Sequence, residues 1–145
     1  DGIGLANARA QPINVAQMYG LNGALTGDQG IRGAALCVDQ VVSATGAQVG
    51  VNIGAIAANS TTGVVFRLTA KNTLTTSTTI VEHSSNSTNG TDGTWAAVTG
   101  LSFTGTDLGY EIDTITTGTS AWLRLNTTVL TGTSITLTVT AGPVN

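Results

Sequence analysis

Ala121-Trp122-Leu123-Arg124-Leu125-Asn126-Thr127-Thr128-Val129, followed beyond Leu130-Thr131-Gly132-Thr133 by Ser134-Ile135-Thr136-Leu137-Thr138-Val139-Thr140-Ala141, decides the fold. In the first run Leu123, Leu125 and Val129 share one face, and Trp122, Arg124, Asn126 and Thr128 share the other, as in a strand with one buried side. In the second run Ile135, Leu137, Val139 and Ala141 face in and the hydroxyl residues face out. Gly132 tolerates the positive φ of a tight turn, so the spacing predicts an antiparallel hairpin. An isolated hairpin is marginal in water, so its apolar face must lie against further strands.

The rest of the chain supplies them. At 145 residues, the length suits one domain that buries roughly two thirds of the surface its unfolded form exposes. Charged residues make up 9% of the sequence, far below the roughly 25% of an ordinary domain, and Thr, Ser, Asn, Gln and Gly take their place. A net charge of −3 argues against nucleic-acid binding, which needs a basic patch. No apolar run reaches the length of a membrane helix. The N-terminus lacks both Met and the basic-then-apolar pattern of a signal peptide. Cys37 is the single cysteine, which excludes an internal disulfide; within Ala34-Ala35-Leu36-Cys37-Val38 it reads as a small buried thiol.

Residues 1–11 read as an extended N-terminal arm, and residues 12–145 as a single domain. Pro12 to Tyr19 offers a first strand, with Pro12 at its entry. Gly20 to Gly33 is a long glycine-rich loop without the spacing of a phosphate-binding motif. Leu36 to Val42 and Gln48 to Ala57 read as the next strands, the latter with Val49, Val51, Ile53, Ala55 and Ala57 in alternation, and Ser43 to Gly46 as the turn between them. Gly63 to Thr69 puts Val64, Phe66 and Leu68 inward. Thr75 to His83 sets Ile80, with Thr78 and Glu82, on one face and Val81 on the other. Ser84 to Gly93 is a polar loop, Trp95 to Phe103 gives short pieces around Gly100, and Leu108 to Ile112 alternates before the final hairpin. About eight short strands with regular turn signals predict an all-β protein: an antiparallel β-sandwich, jelly-roll-like in length.

The residue inventory points away from an enzyme. His83, the only imidazole, follows Glu82 directly, and adjacent strand residues point to opposite faces. Asp1, Asp28, Asp39, Glu82, Asp92, Asp107, Glu111 and Asp113 are dispersed. Asn89-Gly90-Thr91-Asp92-Gly93 has one carboxylate where a calcium loop wants several oxygen ligands, so it reads as turn chemistry. Glu111 and Asp113 share a strand face, where they can be solvated, hold a cation or meet Arg124. Asn59, Asn86, Asn89 and Asn126 sit in Asn-x-Ser/Thr sequons, which matter only in a glycosylating compartment. Trp95 and Trp122 serve either as packing anchors or as an aromatic platform for a sugar. No metal and no cofactor are expected.

Thr79-Ile80-Val81-Glu82-His83-Ser84-Ser85, then Asp92-Gly93-Thr94-Trp95-Ala96-Ala97-Val98, then Trp122-Leu123-Arg124-Leu125-Asn126 and Gly132-Thr133-Ser134 together resemble the small β-sandwich virion proteins of tailed bacteriophages. The resemblance covers roughly residues 75 to 141, with Asn86 to Thr91 as a longer loop than the pattern has. It implies a capsid decoration, or cement, protein on the outer surface of the head, commonly a trimer, with the major capsid protein as partner. Related sandwiches in tails and fibres, a glycan-binding module, and a filament subunit assembled by strand exchange are the alternatives.

Within that reading the arm and the glycine-rich loop are expected to meet neighbouring subunits, because neither has periodic apolar residues to hold it to its own core. The candidate contacts are Ile3, Leu5 and Arg9 in the arm, Leu21, Leu25, Ile31 and Arg32 in the loop, and Trp122 and Arg124 on the outward strand face. Arg124 is expected either between subunits or across strands, stacked on an indole or facing a carboxylate.

Overall fold

The computed structural model describes residues 33–73 and 76–144. Pro12 to Tyr19, and the arm and loop contacts Ile3, Leu5, Arg9, Leu21, Leu25, Ile31 and Arg32, lie outside the described residues.

Among the described residues nine strands follow in order: β1 (Ala34–Val42), β2 (Gly46–Ala47), β3 (Val51–Asn52), β4 (Thr62–Asn72), β5 (Thr76–Ser84), β6 (Ala96–Gly105), β7 (Gly109–Ile115), β8 (Trp122–Thr131) and β9 (Ser134–Pro143). They form two antiparallel sheets, one ordered β1-β9-β4-β7 and the other β2-β8-β5-β6, with β3 also pairing β8. The sheets pack face to face, so the protein is an all-β sandwich, as the alternation predicts.

The final hairpin is not formed. β8 and β9 lie in opposite sheets, and the turn at Gly132 (φ 136°) carries the chain across the sandwich. The Thr133 amide then donates to the Asn72 carbonyl at the end of β4. The two apolar faces therefore oppose one another instead of lying side by side. Leu123 and Leu125 point inward from one sheet, and Ile135, Leu137, Val139 and Ala141 from the other, all nearly inaccessible. Val129 does not join them. Thr127 continues the inward row of Leu123 and Leu125, and the bulge that follows it, opposite Thr78 and Thr79, shifts the β8 register and leaves Val129 exposed.

Val64, Phe66 and Leu68 on β4 face in as expected, opposite Val81 on β5 and Val98, Leu101 and Phe103 on β6. Phe66 and Phe103 stack across the two layers, with ring centroids 5.8 Å apart. On β5 the face carrying Val81, with Ser77 and Thr79, is the buried one, while Ile80 is only half-covered. Paired hydroxyls make this polar inner row tolerable: Thr79 and Thr127 meet at 3.0 Å, and Ser77 donates to the Gly105 carbonyl.

Two further expectations are corrected. Gln48 to Ala57 is not one strand: only Val51–Asn52 pairs as a strand, Ile56 forms an isolated bridge with Thr119, and Val49 is exposed. Its glycines break the run, Gly54 taking φ 83°. Conversely, the pieces around Gly100 form one strand, because Gly100 (φ 89°) absorbs a wide bulge. The register jumps from Ile80↔Ser102 to Glu82↔Ala97, and Val98 and Leu101 are both buried.

Candidate functional site

Two surfaces stand out, one on the outside of each sheet. The first is built on the five-stranded sheet. Glu82 on β5 is the register partner of Arg124 on β8, and Arg124 Nε donates to Glu82 Oε2 at 3.0 Å with side chains only 17% and 12% exposed, respectively. The guanidinium also lies 4.3 Å from the ring centroid of Trp95. Arg124 therefore meets a carboxylate and an indole as its chemistry demands, but they are Glu82 and Trp95. Asp113 instead accepts from the Ser102 amide, and Asp107 pairs with Lys71.

Trp95 is held over Arg124 by the loop from Ser84 to Thr94. Its indole Nε1 donates to the Asp92 carbonyl at 2.8 Å. The Asp92 carboxylate accepts from the Thr88 amide, the Thr88 and Ser87 hydroxyls and the Asn89 amide. Asn89 Oδ1 in turn accepts from Thr91 and from the Asp92 amide. The Gly50 amide donates to the Gly90 carbonyl at 2.8 Å, and a Cβ on Gly90 would run into the Gly50 backbone. The glycine is thus required by a close approach of two backbones. This loop is self-satisfied turn chemistry, and Asp92 spends its lone pairs on the loop's own donors.

Those donors, the Thr88 hydroxyl and amide foremost, hold the Asp92 carboxyl well below the usual carboxylate range. A group with a depressed folded pKa stabilises the fold above its unfolded pKa and loses that contribution as pH falls through the folded value. Asp92→Asn should therefore lower the melting temperature at neutral pH. The gap between variant and wild type should close progressively below about pH 4, as thermal melts across a pH series would show. A gap independent of pH would mean the carboxylate charge is not what holds the loop.

The remaining candidates for chemistry are engaged or scattered. His83 Nδ1 accepts from the Ser120 amide at 3.1 Å, which orients the ring toward the chain and not toward Glu82. Cys37 donates weakly to the Leu137 carbonyl, and burial pushes its thiol pKa up. Among the described residues no group of three or more His, Cys, Asp or Glu converges as a metal site. Trp95 has one ring face covered by Arg124, and Trp122, half-buried, pairs with Ser84 and Asn52.

The second surface is the outside of the four-stranded sheet, which the sequence reading did not single out. Ladder register places Ala35, Thr140, Val65 and Ile112 in one row across all four strands, with Thr138, Arg67 and Tyr110 beside them. Arg67 is charged, and on the β1 edge the Asp39 carboxylate accepts from the Thr138 hydroxyl. Tyr110, Ile112 and Val41 are 72%, 54% and 58% exposed, and Val38 on the same edge strand as Val41 is 65% exposed. The alternation of Leu108, Tyr110 and Ile112 was the available signal, but it marks an apolar face turned outward.

Comparisons with family models, with curated proteins and with solved structures return no match for this chain.

Proposed function

We propose that this chain is a structural, non-enzymatic virion protein that decorates the outer surface of a phage capsid and stabilises the shell. In this reading it binds the major capsid protein and copies of itself, most simply as a trimer. The observation that carries the reading is the outer face of the four-stranded sheet. It spans four strands, carries Arg67 and, at the β1 edge, Asp39 as its charges, and is flanked by edge strands that expose Val38, Val41, Tyr110 and Ile112. Protein interfaces deplete charge at their centre and enrich Tyr and Arg, and Tyr110 lies beside Arg67 on this face. The sequence resemblance points the same way. Clamping is mechanical: a subunit that buries such a face on two capsid subunits favours the state in which both are in place.

Immunogold labelling of native particles, together with heat challenge of particles stripped of the protein, tests the assignment. Gold over the head and earlier rupture of stripped heads are the expected results. Gold confined to tails or fibres, or heat tolerance unchanged by stripping, would remove the decoration role.

A further inference from the structure

The apolar sheet face ends on a strand that is itself unfinished. β7 pairs only with β4 among the described residues, and along its seven residues none is buried. Gly109-Tyr110-Glu111-Ile112-Asp113-Thr114-Ile115 contains neither Pro nor Lys, so the charges that guard this edge against pairing are the acids Glu111 and Asp113 alone. Tyr110 and Ile112 lie on the outer face. Glu111 and Asp113 lie on the opposite one, since they pair with the inward-facing Phe66 and Val64.

That pattern of charge selects the occupant. Antiparallel pairing of β7 with β7 of a second copy would bring acids against acids on one face. About Ile112, Glu111 would oppose Asp113; shifted by two residues, Glu111 would oppose Glu111. Like charges directly opposite destabilise a sheet. Partial burial and the neighbouring Asp113 already raise the Glu111 pKa, and among the described residues Lys71 is paired with Asp107, Arg124 with Glu82, and Arg67 lies beside Tyr110 on the other face of the sheet.

We propose that the edge of β7 that no described strand pairs accepts an extended segment of a partner protein as an added strand, with basic side chains facing Glu111 and Asp113 and β-branched side chains beside Tyr110 and Ile112. Main-chain hydrogen bonds would supply affinity and the alternating side chains specificity. This goes beyond the decoration reading and does not require the partner to be a capsid subunit, so either can fail alone.

The probe is a labelled peptide, Thr-Thr-Arg-Val-Lys-Val-Thr, whose antiparallel pairing sets Lys against Glu111 and Arg against Asp113. Its control carries Glu in place of both basic residues. Fluorescence anisotropy with the full chain should show binding of the basic peptide only. Glu111→Lys, at an exposed position, should weaken it by about fivefold or more and improve binding of the acidic control. Glu111→Gln, which only removes the charge, should fall between the two. Circular dichroism and melting curves establish that each variant is folded. Absence of binding, or equal binding by wild type and Glu111→Lys, overturns the proposal. So does sedimentation of the full chain alone showing self-association that Glu111→Lys alters, because the edge would then belong to another copy of this chain.

Discussion

Arg124→Ala is expected to cost about 3 kcal/mol of folding stability, because it strands a largely buried Glu82 carboxylate and removes the cation stacked on Trp95. From the sequence alone Arg124 could stand either between subunits or across strands. With both partners supplied by the chain itself, the loss should appear in the isolated monomer. A second variant separates charge from packing. Replacing both members, Glu82→Leu with Arg124→Met, removes the unpaired charge and should recover most of the loss, as apolar replacements of buried ion pairs often do. Urea denaturation followed by tryptophan fluorescence reports both quantities, since Trp95 is part of the cluster. A single variant as stable as wild type would show that the pair is solvated in solution.

Phe66→Ala should cost about 3–5 kcal/mol. Phe66 is fully buried at the centre of β4 and stacks on Phe103 of the opposite sheet, so truncation opens a cavity between the layers at a point where neither sheet can collapse alone. Phe66→Leu, which keeps most of the volume, should cost much less. Equilibrium unfolding of both variants gives the comparison. Equal small losses would mean that the sheets are less tightly packed than the stacked rings imply.

Much of the fold was legible because period-2 alternation reports burial directly. Val64, Phe66, Leu68, Leu125, Ile135, Leu137 and Val139 each face the core as their spacing requires. The same signal is silent about pairing. Two consecutive alternating runs look alike whether they lie side by side in one sheet or oppose each other across two, so β8 and β9 read as a hairpin. Bulges cause a second class of error. Val129 falls out of phase after the β8 bulge, and Val98 and Leu101, three residues apart, are both buried because Gly100 intervenes. Faces were also ambiguous where polar residues line the core: with Ser77 and Thr79 inside, β5 offers no apolar stripe to show that Val81 marks the buried side.

The ion-pair cluster was half legible. A cationic side chain between two inward leucines must find a carboxylate or an aromatic face, but Glu82 lies 42 residues before Arg124, and only strand register brings them together. The outer face of the four-stranded sheet was hardest to read. It is made by β1, β9, β4 and β7, which come from widely separated parts of the chain, and its apolar members are indistinguishable in sequence from core residues.

In the proposed decoration role that face is covered on the particle, and cryo-electron microscopy of native phage particles tests it most directly. The predicted result is density for the sandwich on the outside of the head, with Tyr110, Ile112 and Val65 against the shell or a neighbouring copy and the Ser84 to Thr94 loop turned toward solvent. A map in which the four-stranded sheet faces solvent, or in which the heads carry no such density, would contradict it.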